Sequence, residues 1–295
     1  MTAAFELSRD RAPRRALDVG LLPVVDRACL RLLGRCEAAT PEQLARLVYR
    51  SRRTAQKRLR RLWQLGLVER ALLPPAHGGI PVAYRVSVRG RERLGYPARR
   101  KEGVTHLRHT LDTVEAVCAL VGDNRDDLAT LPVALWLTES MSRDVLGGEV
   151  HPDAIVALDQ AGGSAVICLE IDEATQHGPI IQGKFEAYER ALTGRAGWHL
   201  LFVAPNGDRV DWIRTLARSR PGQTLAGRGW AVTLGALRAG GPHAPLRSLG
   251  PGRAEPSLAA LATDRGRRRS SAPVGSAAWV ELLGYGGAED TAALA

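Results

Sequence analysis

Between Leu22 and Gly66 the apolar positions recur at helical spacing three times in succession. Val25, Cys29, Leu32 and Leu33 mark a first helix within Leu22 to Cys36. Thr40-Pro41-Glu42-Gln43 opens a second, with a hydroxyl at the N-cap, proline at the first helical position and an acid in the first turn; it ends near Tyr49. The third stretch, Ser51 to Gly66 (SRRTAQKRLRRLWQLG), divides into two faces. At about 100° per residue, Ala55, Leu59, Leu62 and Trp63 share one apolar stripe, while Arg53, Lys57, Arg60, Arg61 and Gln64 lie opposite. One face is suited to burial and the other to anions.

After Gly66 the period changes from helical to alternating. Leu67 to Arg70 begins a strand, Pro74-Pro75-Ala76-His77-Gly78-Gly79 makes a loop tip, Val82 to Val88 returns as a second strand, and Val88 to Leu94 closes the segment. Three helices and then a two-stranded hairpin is the order of a winged helix-turn-helix, expected over residues 20–95 behind a flexible arm at 1–19. The segment RTAQKRLRRLWQLGLVER resembles the winged-helix DNA readers. That resemblance implies a recognition helix in the major groove with its N-terminal part toward the base edges. Arg52, Arg53, Gln56 and Lys57 are then the candidate base or phosphate contacts, with Thr54 nearby and Arg60 and Arg61 farther along the helix. Arg85 on the returning strand and His77 at the tip are candidates for the flanking backbone. A winged helix also serves in some proteins as a protein-protein module.

A polar, basic linker at 96–105 precedes a change of architecture. Leu107, Leu111, Val114, Val117 and Cys118 predict a helix from His106 to Leu120, and Pro132 to Thr138 a strand followed by Glu139. His106 and His109 share one side of that helix but lack a third metal ligand, which favours a polar face. Val150 to Leu158 and Ala165 to Asp172 predict a hairpin around the turn at Gln160 to Ser164. Then come a helix at Ile180 to Leu192, a strand at Trp198 to Ala204, a helix at Val210 to Arg218 and a last strand at Trp230 to Leu237. Glu170 and Asp172 point to one face by the period of a strand, and hairpin closure brings Asp153 to the same end. Three acids beside apolar strands repel one another unless a cation or hydrogen-bond donor compensates. From Gly240 onward Gly, Pro, Ala and Ser dominate, so 240–295 is expected to be a largely disordered tail carrying a basic run at Arg265 to Arg269 and an apolar patch at Ala277 to Tyr285.

Pro152-Asp153 on one strand and Glu170-Ile171-Asp172 on the next resemble the PD-(D/E)XK nuclease-like fold. With the winged-helix segment, WLTE at Trp136 to Glu139, His151-Pro152-Asp153, Leu169 to Asp172 and Lys184 to Tyr188, the chain resembles the replication-relaxation family of plasmids and integrative elements over roughly residues 20 to 235. The nuclease motif implies that Asp153 and Glu170 hold Mg²⁺ while a lysine two residues past the Glu orients water. Here Asp172 replaces that lysine, which puts an anion where negative charge develops; Lys184 is the available substitute and Glu139 a further candidate ligand. The fold expected is α+β, a winged helix-turn-helix followed by an α/β PD-(D/E)XK-like mixed-sheet domain at 106–239.

Composition narrows the partners. The 295 residues suffice for two modest domains, and 45% hydrophobic content is ordinary for a folded chain. Forty-one Lys and Arg against 31 Asp and Glu leave a formal charge of +10, which points to an anionic partner. Absence of a long apolar run argues against a membrane, and the N-terminus lacks an apolar signal core, so a cytoplasmic protein is expected. The four dispersed cysteines read as reduced core thiols. The expected protein binds double-stranded DNA of a mobile element and acts in plasmid replication, relaxation or transfer with a degenerate nuclease-like domain. Analogy adds a homodimer, with replication or transfer proteins as partners. The alternatives are a transcriptional repressor whose second domain senses a ligand or dimerises, and an active Mg²⁺-dependent nuclease or nickase.

Overall fold

A computed structural model of the chain describes residues 19–49, 51–72, 82–96, 104–121, 133–142, 145–160, 163–219, 225, 227–251 and 255–263. These fall into two compact units divided between Val114 and Glu115. The architecture is α+β with a mixed sheet.

The first unit strings together α1 (Val24–Cys36), α2 (Pro41–Leu47) and α3 (Arg52–Gln64), then β1 (Val68–Leu72), β2 (Val82–Val86) and the short α4 (Val88–Leu94). Local chemistry sets the boundaries. At α2 a reciprocal capping box forms: the Gln43 N–H donates to Thr40 Oγ1 at 3.2 Å and the Thr40 N–H to Gln43 Oε1 at 3.0 Å. Ser51 caps α3 by accepting from the Thr54 N–H. The far end of α3 closes through Gly66 at φ +70°, whose N–H reaches the Trp63 carbonyl while that of Leu67 reaches Leu62. β1 and β2 pair antiparallel from Val68↔Val86 to Leu72↔Val82. The returning strand stops at Val86, short of the expected Val88, because Ser87 Oγ accepts from the Gly90 N–H and starts α4. The loop tip at 73–81, including His77, lies outside the described residues, as do 1–18 of the expected arm and 97–103 of the expected linker.

Helix α5 (Val104–Val121) begins two residues before the expected His106. Its first half belongs to the first unit: Leu107 and Leu111 pack with Ala38, Ala71 and Ala83, and Gln43 Nε2 donates to the Leu111 carbonyl at 2.8 Å. His106 Nε2 meets Glu37 Oε2 at 3.0 Å, so this imidazole faces a carboxylate within its own unit.

The second unit continues with β3 (Val133–Thr138), α6 (Glu139–Ser142), β4 (Ala154–Gln160), β5 (Gly163–Ile171), α7 (Gly178–Ala191), β6 (Trp198–Ala204), α8 (Gly207–Arg218), β7 (Gly229–Thr233), α9 (Leu234–Gly240), β8 (Arg247–Ser248) and α10 (Leu258–Thr263). The sheet runs β3-β4-β5-β6-β7-β8. β3, β4 and β5 form an antiparallel meander, β6 and β7 add parallel to β5 through the crossovers α7 and α8, and β8 returns antiparallel. Ile181, Phe185 and Tyr188 of α7 and Val210 and Ile213 of α8 pack on Ile155, Val166, Cys168, Leu200 and Phe202 of the sheet. This packing fixes the α7 side chains over the end of β5.

One expectation is corrected here and another is bounded. The strand predicted over Trp230 to Leu237 ends at Thr233, whose Oγ1 accepts from the Ala236 N–H and turns the chain into α9. Of the tail expected to be largely disordered over 240–295, the described residues 240–251 and 255–263 belong to the fold. β8 pairs with β7, α10 packs on β4 and β5, and Leu246, Leu249 and Leu258 are buried. Three leucines spaced among Gly, Pro and Ala leave no periodic signal, yet each completes a core already shaped by the sheet. Residues 264–295, with the basic run and the apolar patch, lie outside the described residues. All four cysteines are buried free thiols. Among the described residues no helix is long and apolar enough to cross a membrane.

Candidate nucleic-acid interface and carboxylate cluster

Helix α3 presents the two faces that its spacing predicts. Ala55, Leu59 and Leu62 are fully buried, while Arg52, Arg53, Thr54, Gln56, Lys57, Arg60 and Arg61 are exposed. Arg52 meets Glu42 of α2 at 2.6 Å in an exposed pair, which holds little energy against solvent. Among the described residues no acid pairs with Arg53, Lys57, Arg60 or Arg61. Trp63 departs from the expected stripe: it is half-buried, and the Arg70 guanidinium from β1 lies 4.3 Å from its ring centroid. Arg85 sits opposite Glu69 in the hairpin register and donates to its carboxylate at 2.5 Å, with 16% of its side chain exposed. That cation already has its counter-ion.

One arginine of α3 turns inward. Asp26 of α1 is completely buried, and Arg58 grips it with two hydrogen bonds, from Nε to Oδ1 at 2.7 Å and from Nη2 to Oδ2, while Tyr49 donates to Oδ1 at 3.2 Å. The hydrogen bond to Asp26 raises the Arg58 pKa further, so this guanidinium stays charged at any working pH. Burial pushes the adjacent Cys29 thiol up to about 12, leaving an inert packing group. The Asp26 pair ties α1 to α3 and fixes how α3 is rotated about its axis. Its signal was present in the sequence: Arg58 falls within the stripe of Ala55, Leu59 and Leu62, and Asp26 within that of Cys29, Leu30 and Leu33.

In the second unit, Asp153 precedes β4, Glu170 lies near the end of β5 and Lys184 on α7, and the fold draws the three together. Asp153 Oδ2 accepts from the Ile171 N–H at 2.7 Å. Glu170, 3% exposed, takes one donor on each oxygen: Tyr188 Oη to Oε1 at 2.6 Å and Lys184 Nζ to Oε2 at 2.5 Å. Lys184 and Tyr188 are four residues apart on α7, so one face of that helix supplies both. Burial pushes the Glu170 carboxyl up to about 7, Asp153 adding to the rise and Lys184 and Tyr188 opposing it. Although burial disfavours a charged Lys184, the pull of Glu170, Asp153 and Asp172 raises its pKa.

Asp172 goes elsewhere. Arg209 of α8 holds it with two hydrogen bonds, at 2.6 and 3.2 Å, donates to the Gln176 carbonyl at 2.7 Å and stacks 3.9 Å from the Trp212 ring centroid. The position that the nuclease motif gives to a lysine is thus part of a clamp on the 172–176 turn. Sequence reasoning missed Tyr188 as a donor, taking it only for core, and missed Arg209 altogether; the first is recoverable from its spacing to Lys184, while nothing in the sequence points to the second. Glu139 opens α6 and, among the described residues, makes no hydrogen bond to the cluster.

These side chains do not fit a Mg²⁺ site as they stand. Magnesium requires near-octahedral oxygens at about 2.0–2.1 Å, whereas both Glu170 oxygens are taken by internal donors and Asp172 is bound to Arg209. Among the described residues no group of three His, Cys, Asp or Glu side chains is placed to hold a metal ion.

A helical unit that exposes one cationic helix, joined to a mixed-sheet unit with buried acids at the end of its meander, defines the class. The model of the replication-relaxation family matches residues 30–199, more than half of the 295, and the chain belongs to that family. The match begins in α1 and ends in β6, taking in α3, the hairpin, Asp153, Glu170 and Lys184 but not Arg209. No curated protein and no solved structure matches the chain.

Proposed function

We propose that this protein binds double-stranded DNA of a mobile element and acts in its replication or relaxation, with α1 to β2 working as a winged helix-turn-helix and α3 as its reading helix. The observation that carries this reading is the exposed cationic side of α3, on which Arg53, Lys57, Arg60 and Arg61 face solvent without an acidic partner among the described residues. A buried acid, Asp26, holds the helix from behind, so the outward face is set before any ligand arrives. Phosphates are the matching ligand for such a face, and the N-terminal turn with Arg52, Arg53, Thr54, Gln56 and Lys57 is the part suited to base edges. The chain's +10 charge supports the same choice of partner. A homodimer reading two half-sites follows by analogy with other winged helices, and replication or transfer proteins are the partners that the family suggests.

The second unit is read as a PD-(D/E)XK-like scaffold whose acids hold the fold rather than cut DNA. The test uses the full chain in EDTA. A duplex carrying the element's own origin is expected to shift in a gel, and Arg53→Ala with Lys57→Ala to abolish the shift. An unaltered shift by that variant refutes the assignment of α3. Plasmid incubated with Mg²⁺ or Mn²⁺ is expected to be nicked no more by wild type than by Glu170→Gln.

A further inference from the structure

We propose that the Lys184 ammonium is the built-in cation of the carboxylate cluster, standing where a divalent ion would otherwise have to bind, so that Asp153 and Glu170 become a metal site only when Lys184 is removed. The inference goes beyond the reading of α3 as a DNA-binding helix and does not depend on it.

The argument starts from the count of donors. Glu170 has two oxygens and both are engaged, one by Lys184 and one by Tyr188. An ion at Oε2 would have to sit about 2.1 Å from an oxygen that already holds an ammonium. Two cations that close repel strongly: at about 4 Å in a site of effective dielectric about 20, two unit charges weaken binding about a thousandfold, and a divalent ion meets twice that energy, on the order of a millionfold. A third acid to offset this is missing, because Asp172 is gripped at both oxygens by Arg209.

Charge balance supports the same conclusion. Among the described residues three acids, Asp153, Glu170 and Asp172, meet two cations, Lys184 and Arg209, which leaves one negative charge. A divalent ion added to that set would leave it net positive. Removing Lys184 changes that: Glu170 would be left beside the half-buried Asp153 with no cation on Oε2, and neighbouring like charges recruit either a proton or a metal ion. The hydrocarbon stem of Lys184 would also vacate space at a place where the cluster meets solvent, since 27% of that side chain is exposed against 3% for Glu170.

Binding of Mn²⁺ to the full chain, followed by electron paramagnetic resonance of the free ion, tests this. Wild type and Glu170→Gln should give superimposable titrations. Lys184→Ala should gain one Mn²⁺ per chain, at least about a hundredfold tighter than anything at this cluster in wild type, and the site should vanish in Lys184→Ala with Glu170→Gln. Lys184→Met, which keeps the packing of the stem, repeats the comparison, and circular dichroism shows that each variant is folded. The proposal is overturned if wild type binds an Mn²⁺ that Glu170→Gln removes, or if folded Lys184→Ala and Lys184→Met gain none. Should both variants fail to fold, the wild-type comparison alone decides: a Glu170-dependent ion in wild type refutes the proposal, and its absence supports it. Failure of the α3 reading would be seen separately, in the gel shift of Arg53→Ala with Lys57→Ala.

Discussion

Asp26 and Glu170 are buried acids with opposite consequences. Asp26 is paired by a guanidinium and a phenol, so deleting its cation leaves an uncompensated charge in the core. Arg58→Met is therefore expected to cost about 3–5 kcal/mol in urea unfolding, far more than the loss from any outward arginine of α3. A cost below about 1 kcal/mol would mean that the pair does not anchor the helix. Glu170 is held up to about 7 by burial, above its ordinary 4.5, and a raised folded-state pKa means that the native chain binds the extra proton between those two values. This carboxyl accordingly adds stability as pH falls through that window and costs stability as pH rises, full relief being reached below the unfolded value. Lys184 stays charged throughout. Urea midpoints for wild type and Glu170→Gln, taken at about pH 5 and about pH 8, should show a smaller pH dependence in the variant; equal dependence would place the titration elsewhere.

At the scale of elements, most of what positions the candidate interface was legible in the sequence, because caps and periodicity are local. Thr40-Pro41 and Ser51 start helices where the sequence places them, Gly66 stops α3, and the buried set of Ala55, Leu59 and Leu62 follows from spacing alone. What the sequence concealed depends on tertiary partners. Trp63 left the core for a stack with Arg70 on a strand, Arg58 sought a buried acid 32 residues away, and the leucines after Gly240 are meaningful only against a sheet formed earlier in the chain. Asp153 and Glu170 were readable as neighbours from hairpin closure, but Asp172 turns to Arg209, and Tyr188 and Arg209 come from helices whose docking no local pattern encodes. One glycine is a sharp test of the hairpin. A Cβ on Gly90 would lie 2.2 Å from the Leu67 carbonyl oxygen, which is backbone and cannot swing away. Gly90→Ala should thus destabilise the first unit by about 1–3 kcal/mol; a neutral substitution would show that α4 does not pack against the Leu67 backbone.

Taken whole, the molecule separates two kinds of charge. Exposed arginines and a lysine on the first unit leave their fields open to a polyanion, whereas the buried acids Glu170 and Asp172 of the second are paired within the fold by Lys184 and Arg209. Membership of the replication-relaxation family covers both units, and it is the first that the proposed function places against DNA. Fluorescence anisotropy of a labelled duplex, titrated with the full chain across a series of salt concentrations in EDTA, examines that claim most directly. The account predicts a steep fall of affinity with salt, a slope reduced by about one for each cation removed in Arg53→Ala, Lys57→Ala and Arg60→Ala, and unfolding midpoints within about 0.5 kcal/mol of wild type for the same variants. Identical slopes for wild type and each of the three single variants, all folded, would contradict it.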